Sequence, residues 1–124
     1  MVFEPILERV VRTCRGALGA ALWGADGVPI ARVAGEDECA DPLSEESGAL
    51  GGEFSRVLVE LQKASFAASA GPVAETWVRF EAFSLGFWSI DEDLVLAMAL
   101  APHGNLGQAR YLIRRNLAEL KSLV

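Results

Sequence analysis

Along the first fifteen residues, the apolar side chains of Phe3, Ile6, Leu7, Val10, Val11 and Cys14 recur every three to four positions, with Glu4, Glu8, Arg9 and Arg12 between them. That spacing gathers the apolar set on one side of a helix and predicts helix over Phe3–Arg15, ended by Gly16. The period then changes. Ala17 to Trp23 is a short continuous apolar run, GADG at Gly24 to Gly27 carries the Asp-Gly chemistry of a tight hairpin turn, and Val28 to Val33 returns as a second strand. Pro29 has no N–H to give a ladder, so that strand is at a sheet edge or the proline is among its first residues. Ala34 to Ser44 is polar and acidic and reads as a loop.

A helical pattern resumes from about Glu45 to Ser69, capped by Ser44, with Leu50, Phe54, Val57, Leu58, Leu61 and Ala68 on one face and Glu53, Arg56, Glu60 and Lys63 on the other. Its opening, SGALGG from Ser47 to Gly52, is poor helix composition, since each glycine costs about 1 kcal/mol against alanine. Such a cost predicts close approach of another backbone there. Gly71 and Pro72 stop the helix. Val73 to Glu81, Phe83 to Ile90 and Leu94 to Ala101 then read as three strands, the last two joined by an acidic turn at Asp91 to Asp93. A final helix runs from Leu106 to about Leu123, with Leu106, Ala109, Leu112, Ile113, Leu117 and Leu120 inward. Asn105 is placed to cap it, with Gln108 as the reciprocal partner of a capping box and Gly107 where the first turn approaches the sheet.

The order α-β-β-α-β-β-β-α implies hairpins, hence a five-stranded, mainly antiparallel sheet in an α/β (α+β) fold. Ala17 to Leu22 and Leu94 to Ala101 are apolar at consecutive positions, so both sheet faces are covered there. Three helices suffice for a three-layer sandwich. The strand from Ala74 to Glu81 instead alternates, with Thr76, Val78 and Phe80 on one side and Glu75, Arg79 and Glu81 on the other, Trp77 interrupting the polar side. It reads as an edge strand. Pairing it with the same strand of a second copy removes an aggregation hazard and closes a two-fold dimer, which the glycine-rich start of the long helix would help to pack.

At 124 residues the chain fits a single domain over 1–124. Its net charge of −6, with Glu36, Asp37, Glu38 and Asp41 in one segment, argues against a phosphate-tracking nucleic-acid surface and for a protein partner. The acidic run lacks the central glycine and terminal glutamate of a calcium loop and reads as solvated. Leu94 to Ala101 is far short of the roughly 20 residues that cross a membrane, and the first residues are amphipathic rather than a signal peptide, so a cytoplasmic protein without membrane insertion is expected. Cys14 and Cys39 lack paired ligand spacing and read as free thiols. The only histidine, His103, has no nucleophile or carboxylate at motif spacing and reads as a solvated loop residue. No phosphate loop or G-x-G-x-x-G is present, so the expectation is a chain that is not an enzyme and carries no cofactor.

Two stretches carry a family resemblance. ALGAALWGADGVPIARV, Ala17 to Val33, and LAMALAPHGNLGQARYLIRRNLAEL, Leu96 to Leu120, resemble the strand, D-G turn and G-x-P-I/V step, and the last strand, N-L-G step and closing helix, of the Roadblock/dynein light chain family. The bacterial branch of that family includes MglB-type regulators of Ras-like GTPases. The resemblance covers essentially the whole chain and implies a profilin-like three-layer sandwich and a dimer, with itself or a paralogue, that binds a small Ras-like GTPase as an activator or scaffold. It implies a GTPase-facing surface on the long helix, at Ser47, Gly48, Gly51, Gly52, Ser55, Arg56, Glu60 and Lys63, and a dimer interface through Leu50, Phe54, Trp77, Val78 and Arg79. An adaptor without effect on hydrolysis and a small-molecule sensor are the alternatives. An arginine supplied in trans could stabilise phosphoryl-transfer charge, and Arg56, Arg110, Arg114 and Arg115 are the candidates, though each also suits a solvated helix face. Trp88 is expected in the chain's own core and Trp77 at the dimer seam.

Overall fold

The computed structural model describes residues 2–36, 41–43 and 49–124, with backbone alone at 49 and 50. The elements follow the expected order: α1 (Glu4–Thr13), β1 (Ala17–Gly24), β2 (Pro29–Ala34), α2 (Ala49–Ala67), β3 (Glu75–Arg79), β4 (Ser84–Ser89), β5 (Leu94–Leu100) and α3 (Leu106–Ser122). The proposed cap Ser44 and the cysteine Cys39 lie outside the described residues, as do Ser47 and Gly48.

The five strands form one sheet in the order β2-β1-β5-β4-β3, and every neighbouring pair is antiparallel. Pro29 is the first residue of β2, and β2 is an edge, so the missing N–H costs the ladder nothing. Gly27 takes φ +89° in the hairpin turn, as the Asp-Gly pair requires. β3 forms the other edge, as its alternation indicates.

Two apolar layers sandwich the sheet, which explains why β1, β4 and β5 are apolar at consecutive positions. On one face, Ala20, Leu22, Trp88, Leu96, Met98 and Leu100 pack against Ile6, Leu7 and Val10 of α1 and Ala109, Ile113 and Leu120 of α3. On the other, Ala21, Trp23, Leu85, Phe87, Ala97 and Ala99 meet Phe54 and Leu58 of α2. Burying a leucine- or phenylalanine-sized side chain contributes roughly 1.5–3 kcal/mol, so these layers dominate stability.

Several local expectations need correction. Asn105 caps α3 by accepting from the Gln108 N–H at 2.9 Å, but Gln108 does not close a capping box. Its amide instead accepts from the Arg15 N–H at 2.9 Å and donates to the Thr13 carbonyl at 3.1 Å, satisfying the end of α1. Gly107 is exposed and its approach to the sheet does not occur. The tight point is Gly16, at φ +82°, where a Cβ would stand 2.4 Å from the Gly104 Cα. Leu106 turns outward, whereas Asn116 is buried between α1 and α3, accepting from Arg9 at 3.0 Å and donating to the Leu112 carbonyl at 2.8 Å.

Asp41 is the largest departure from the expected solvated acidic loop. Its side chain is fully buried, 3.0 Å from the Arg32 guanidinium, and it accepts from the Leu43 N–H at 2.9 Å. The space comes from Gly19, where any Cβ would fall 2.4 Å from the carboxylate. A buried carboxylate is tolerated only when paired and hydrogen-bonded, and here it is both.

Candidate functional site

The rotational setting of α2 decides which of its residues face outward. Gly51 is buried against the hairpin turn: a Cβ on Gly51 would meet the Gly27 carbonyl oxygen at 3.0 Å, and one on Gly27 would meet the Gly51 carbonyl oxygen at the same distance. The close backbone approach expected from SGALGG therefore occurs, and the backbone approached is the chain's own turn. One turn further along, the Ser55 hydroxyl donates to the Ala25 carbonyl, a second tie between α2 and the same turn. Phe54 stacks on Phe87 with ring centroids 4.9 Å apart and meets Phe80 edge-on at 6.3 Å. Leu58 packs beneath the helix on the same side.

With Gly51, Phe54, Ser55 and Leu58 turned toward the sheet, the opposite side presents Gly52, Glu53, Arg56, Glu60 and Lys63. Arg56 reaches Glu53 at 2.9 Å and Lys63 reaches Glu60 at 3.2 Å, both i,i+3 pairs in water. Among the described residues, nothing lies within 4 Å of a Cβ built on Gly52, which is exposed on the helix. Of the residues assigned to a GTPase-facing surface, Gly52, Arg56, Glu60 and Lys63 thus share one exposed ridge. Gly51 and Ser55 are committed to the hairpin turn, and Ser47 and Gly48 are not described.

The apolar face of α2 also differs from expectation. Val57 and Leu61, expected inward, are 47% and 38% exposed, and Ala68 is exposed too. Val59 and Phe66, which the sequence pattern left unassigned, are 46% and 64% exposed. Residues 57 and 59 point about 200° apart on a helix, so the polar ridge has an apolar lane on each flank. Exposed apolar side chains that cluster and are rimmed by charge are a general feature of interaction surfaces.

Of the residues assigned to a dimer interface, Phe54 is half-buried in the chain's own aromatic cluster. Trp77 projects to the other face of the sheet, over Gly86 and edge-on to Trp88 with ring centroids 5.2 Å apart. Trp88 itself is buried and donates to Glu75 at 3.2 Å, while Arg110 Nε lies 2.7 Å from the other Glu75 oxygen. Val78 is half-buried beside Leu85, and Arg79 is exposed at the end of β3. Leu50 is the second residue of α2, and its side chain is not described. Among the arginines considered as fingers, Arg56 and Arg110 are held by carboxylates, whereas Arg114 and Arg115 are exposed on α3. His103 is exposed in the loop before α3. Among the described residues, no three His, Cys, Asp or Glu side chains come together to hold a metal, and no helix is long and apolar enough to cross a membrane.

No protein-family model matches the sequence, and no curated protein does. Solved structures do. MglC from Myxococcus xanthus superposes with TM-score 0.70 at 26% identity, over 100% of both chains. The gliding protein MglB from Thermus thermophilus superposes with TM-score 0.82 at 18% identity, over 96% of this chain and 85% of that one. A Roadblock/LC7 domain from Streptomyces avermitilis gives TM-score 0.79 at 13% identity, over 95% and 93%. The fold is Roadblock/LC7-like. Profilin IA of Acanthamoeba castellanii, at TM-score 0.55 and 13% identity over 98% of each chain, shares the wider architecture. Among the described residues, the lanes of α2 leave Val57, Val59, Leu61 and Phe66 exposed, and β3 is an edge strand of the sheet.

Proposed function

We propose that the chain is a non-catalytic dimeric module that binds a small Ras-like GTPase and regulates it, as activator or scaffold. The observation that carries this reading is the outer surface of α2, where Gly52, Arg56, Glu60 and Lys63 form a ridge between two apolar lanes. The GTPase as partner class comes from the sequence resemblance, and the Roadblock/LC7-like fold supports it. The dimer joins two copies, or this chain and a paralogue, through the β3 edge, with the Val57 and Leu61 lane beside it. That lane continues from Phe54, which touches Phe80 just past the end of β3.

Activation by this module works by holding the GTPase's own catalytic groups in place, a shift of population rather than a donated side chain. A structural adaptor that binds without changing hydrolysis is the second reading. It is favoured by the carboxylates already paired with Arg56 and Arg110.

The test is single-turnover GTP hydrolysis by the Ras-like GTPase encoded nearest to this gene, with and without the protein. A faster single-turnover rate, lost when Arg56 and Lys63 are both changed to Glu, supports the regulator. An unchanged rate with retained binding makes the protein an adaptor, and absence of binding in either nucleotide state overturns the partner class.

A further inference from the structure

The second apolar lane of α2 does not end in solvent. Val59 and Phe66 line a groove of about 500 Å³ between α2 and the sheet, completed by Trp23, Leu58, Pro72 and Val95. A concave apolar site of this size accepts one or two large side chains. Its mouth is acidic. Asp91 and Glu92 of the β4–β5 turn line it, and Asp26 and Asp93 sit at the same end of the sheet, where the Ala25 N–H donates to the Asp93 carbonyl at 2.9 Å. Among the described residues that line the groove there is no lysine or arginine. The α2 cations Arg56 and Lys63 are paired with Glu53 and Glu60 on the outer ridge, so they do not neutralise that mouth.

We infer that this groove docks a segment of a partner protein that inserts a large apolar side chain between Trp23 and Phe66 and sets lysine or arginine against Asp91 and Glu92. The charge of the rim selects the partner: an acidic segment is repelled, and an uncharged one loses the attraction that speeds its encounter. A copy of this chain meeting the Val57 and Leu61 lane leaves the groove open, because the two lanes lie on opposite flanks of one helix. The groove is therefore separate from the dimer; it shares only the Val59 and Phe66 lane with the surface proposed above, and its docking stands whether or not a GTPase binds the ridge.

The probes are three fluorescein-labelled twelve-residue peptides: one with a central Leu-Phe pair flanked by lysines, one with glutamates replacing the lysines, and one with serines replacing Leu-Phe. Fluorescence polarisation gives affinity, and amide chemical shifts map the site. The lysine peptide is expected to saturate in the micromolar range, with shifts at Leu58, Val59, Phe66 and the Asp91 to Asp93 turn, and both control peptides to bind at least tenfold more weakly. Asp91→Asn with Glu92→Gln keeps the turn's hydrogen-bond acceptor and should weaken binding at least tenfold. Phe66→Ser, on an exposed position that leaves the melting temperature unchanged, should abolish it. Equal binding of the lysine and glutamate peptides, shifts confined to other surfaces, or no effect of the Asp91 and Glu92 changes would overturn the inference. Phenethylamine binding the groove as tightly as the lysine peptide would replace the protein partner with a small cationic ligand.

Discussion

Replacing Gly19 by alanine tests the burial of Asp41 directly. Gly19 lies in β1 opposite Ala34 and Ala99, and its Cβ would stand 2.4 Å from a carboxylate oxygen of Asp41 and 2.6 Å from the carboxyl carbon. No Cβ tolerates that contact, so the carboxylate must leave and lose its 3.0 Å and 3.2 Å contacts to Arg32 and its 2.9 Å bond from Leu43. Breaking a fully buried ion pair costs about 3–5 kcal/mol. The Arg32 side chain is 31% exposed, so water recovers part of the loss and about 2–3 kcal/mol is expected. For a chain of this length that lowers the melting temperature by about 8–12 °C. Thermal unfolding of Gly19→Ala, Asp41→Ala and the double variant forms a cycle. With the carboxylate gone, alanine at position 19 should cost almost nothing, giving a coupling of about 2 kcal/mol. If Gly19→Ala costs the same in both backgrounds, the steric account is refuted.

Asn105→Ala removes the acceptor for the Gln108 N–H and should cost about 1 kcal/mol, read as a lower urea midpoint at unchanged m-value. Burial pushes the Cys14 thiol above its ordinary value. The folded state therefore keeps this proton at a pH where the unfolded chain releases it. The associated stability is complete below about pH 8.5 and is lost as pH rises toward the folded value. Urea unfolding of the protein and of Cys14→Ser, under reducing conditions, should show their stability difference shift against the cysteine between pH 7.5 and 9.5; a difference independent of pH contradicts this. Val57→Glu with Leu61→Glu should convert a dimer into a folded monomer by light scattering with an unchanged circular dichroism spectrum. A wild-type monomer at micromolar concentration would count against the two-fold sheet.

Element order and sheet class were legible because apolar runs, the Asp-Gly turn and the cap at Asn105 are local signals. The setting of α2 was not. Apolar residues occur at 54, 57, 58, 59, 61 and 66, so more than one face could be the buried one. The choice is made by Gly51 against Gly27 and by the Phe54–Phe87 stack, contacts between residues remote in sequence. The same applies to the candidate site. Its charged ridge was readable from Arg56, Glu60 and Lys63, but Val59 and Phe66 were missed, although their failure to share a face with Val57 was a signal. Asp41 looked like one more member of an acidic run. Gly19 and Arg32, on neighbouring strands, reveal why it is inside.

The sheet order carries a consequence for how the molecule is made. β5, the last of these five strands to be synthesised, is the central one, and Ala20 of β1 pairs with Met98 while Gly86 of β4 pairs with that same residue. Until β5 is available, the β1–β2 hairpin and the β3–β4 hairpin are two separate ribbons with no edge in common. Assembly therefore cannot follow the order of synthesis. It waits for one late strand to slide between two early ones, and closing contacts of such sequence separation makes folding slow relative to a helical chain of similar size. In the interval β1 and β4 both expose unpaired inner edges, a period when holding the nascent chain apart from its neighbours matters most.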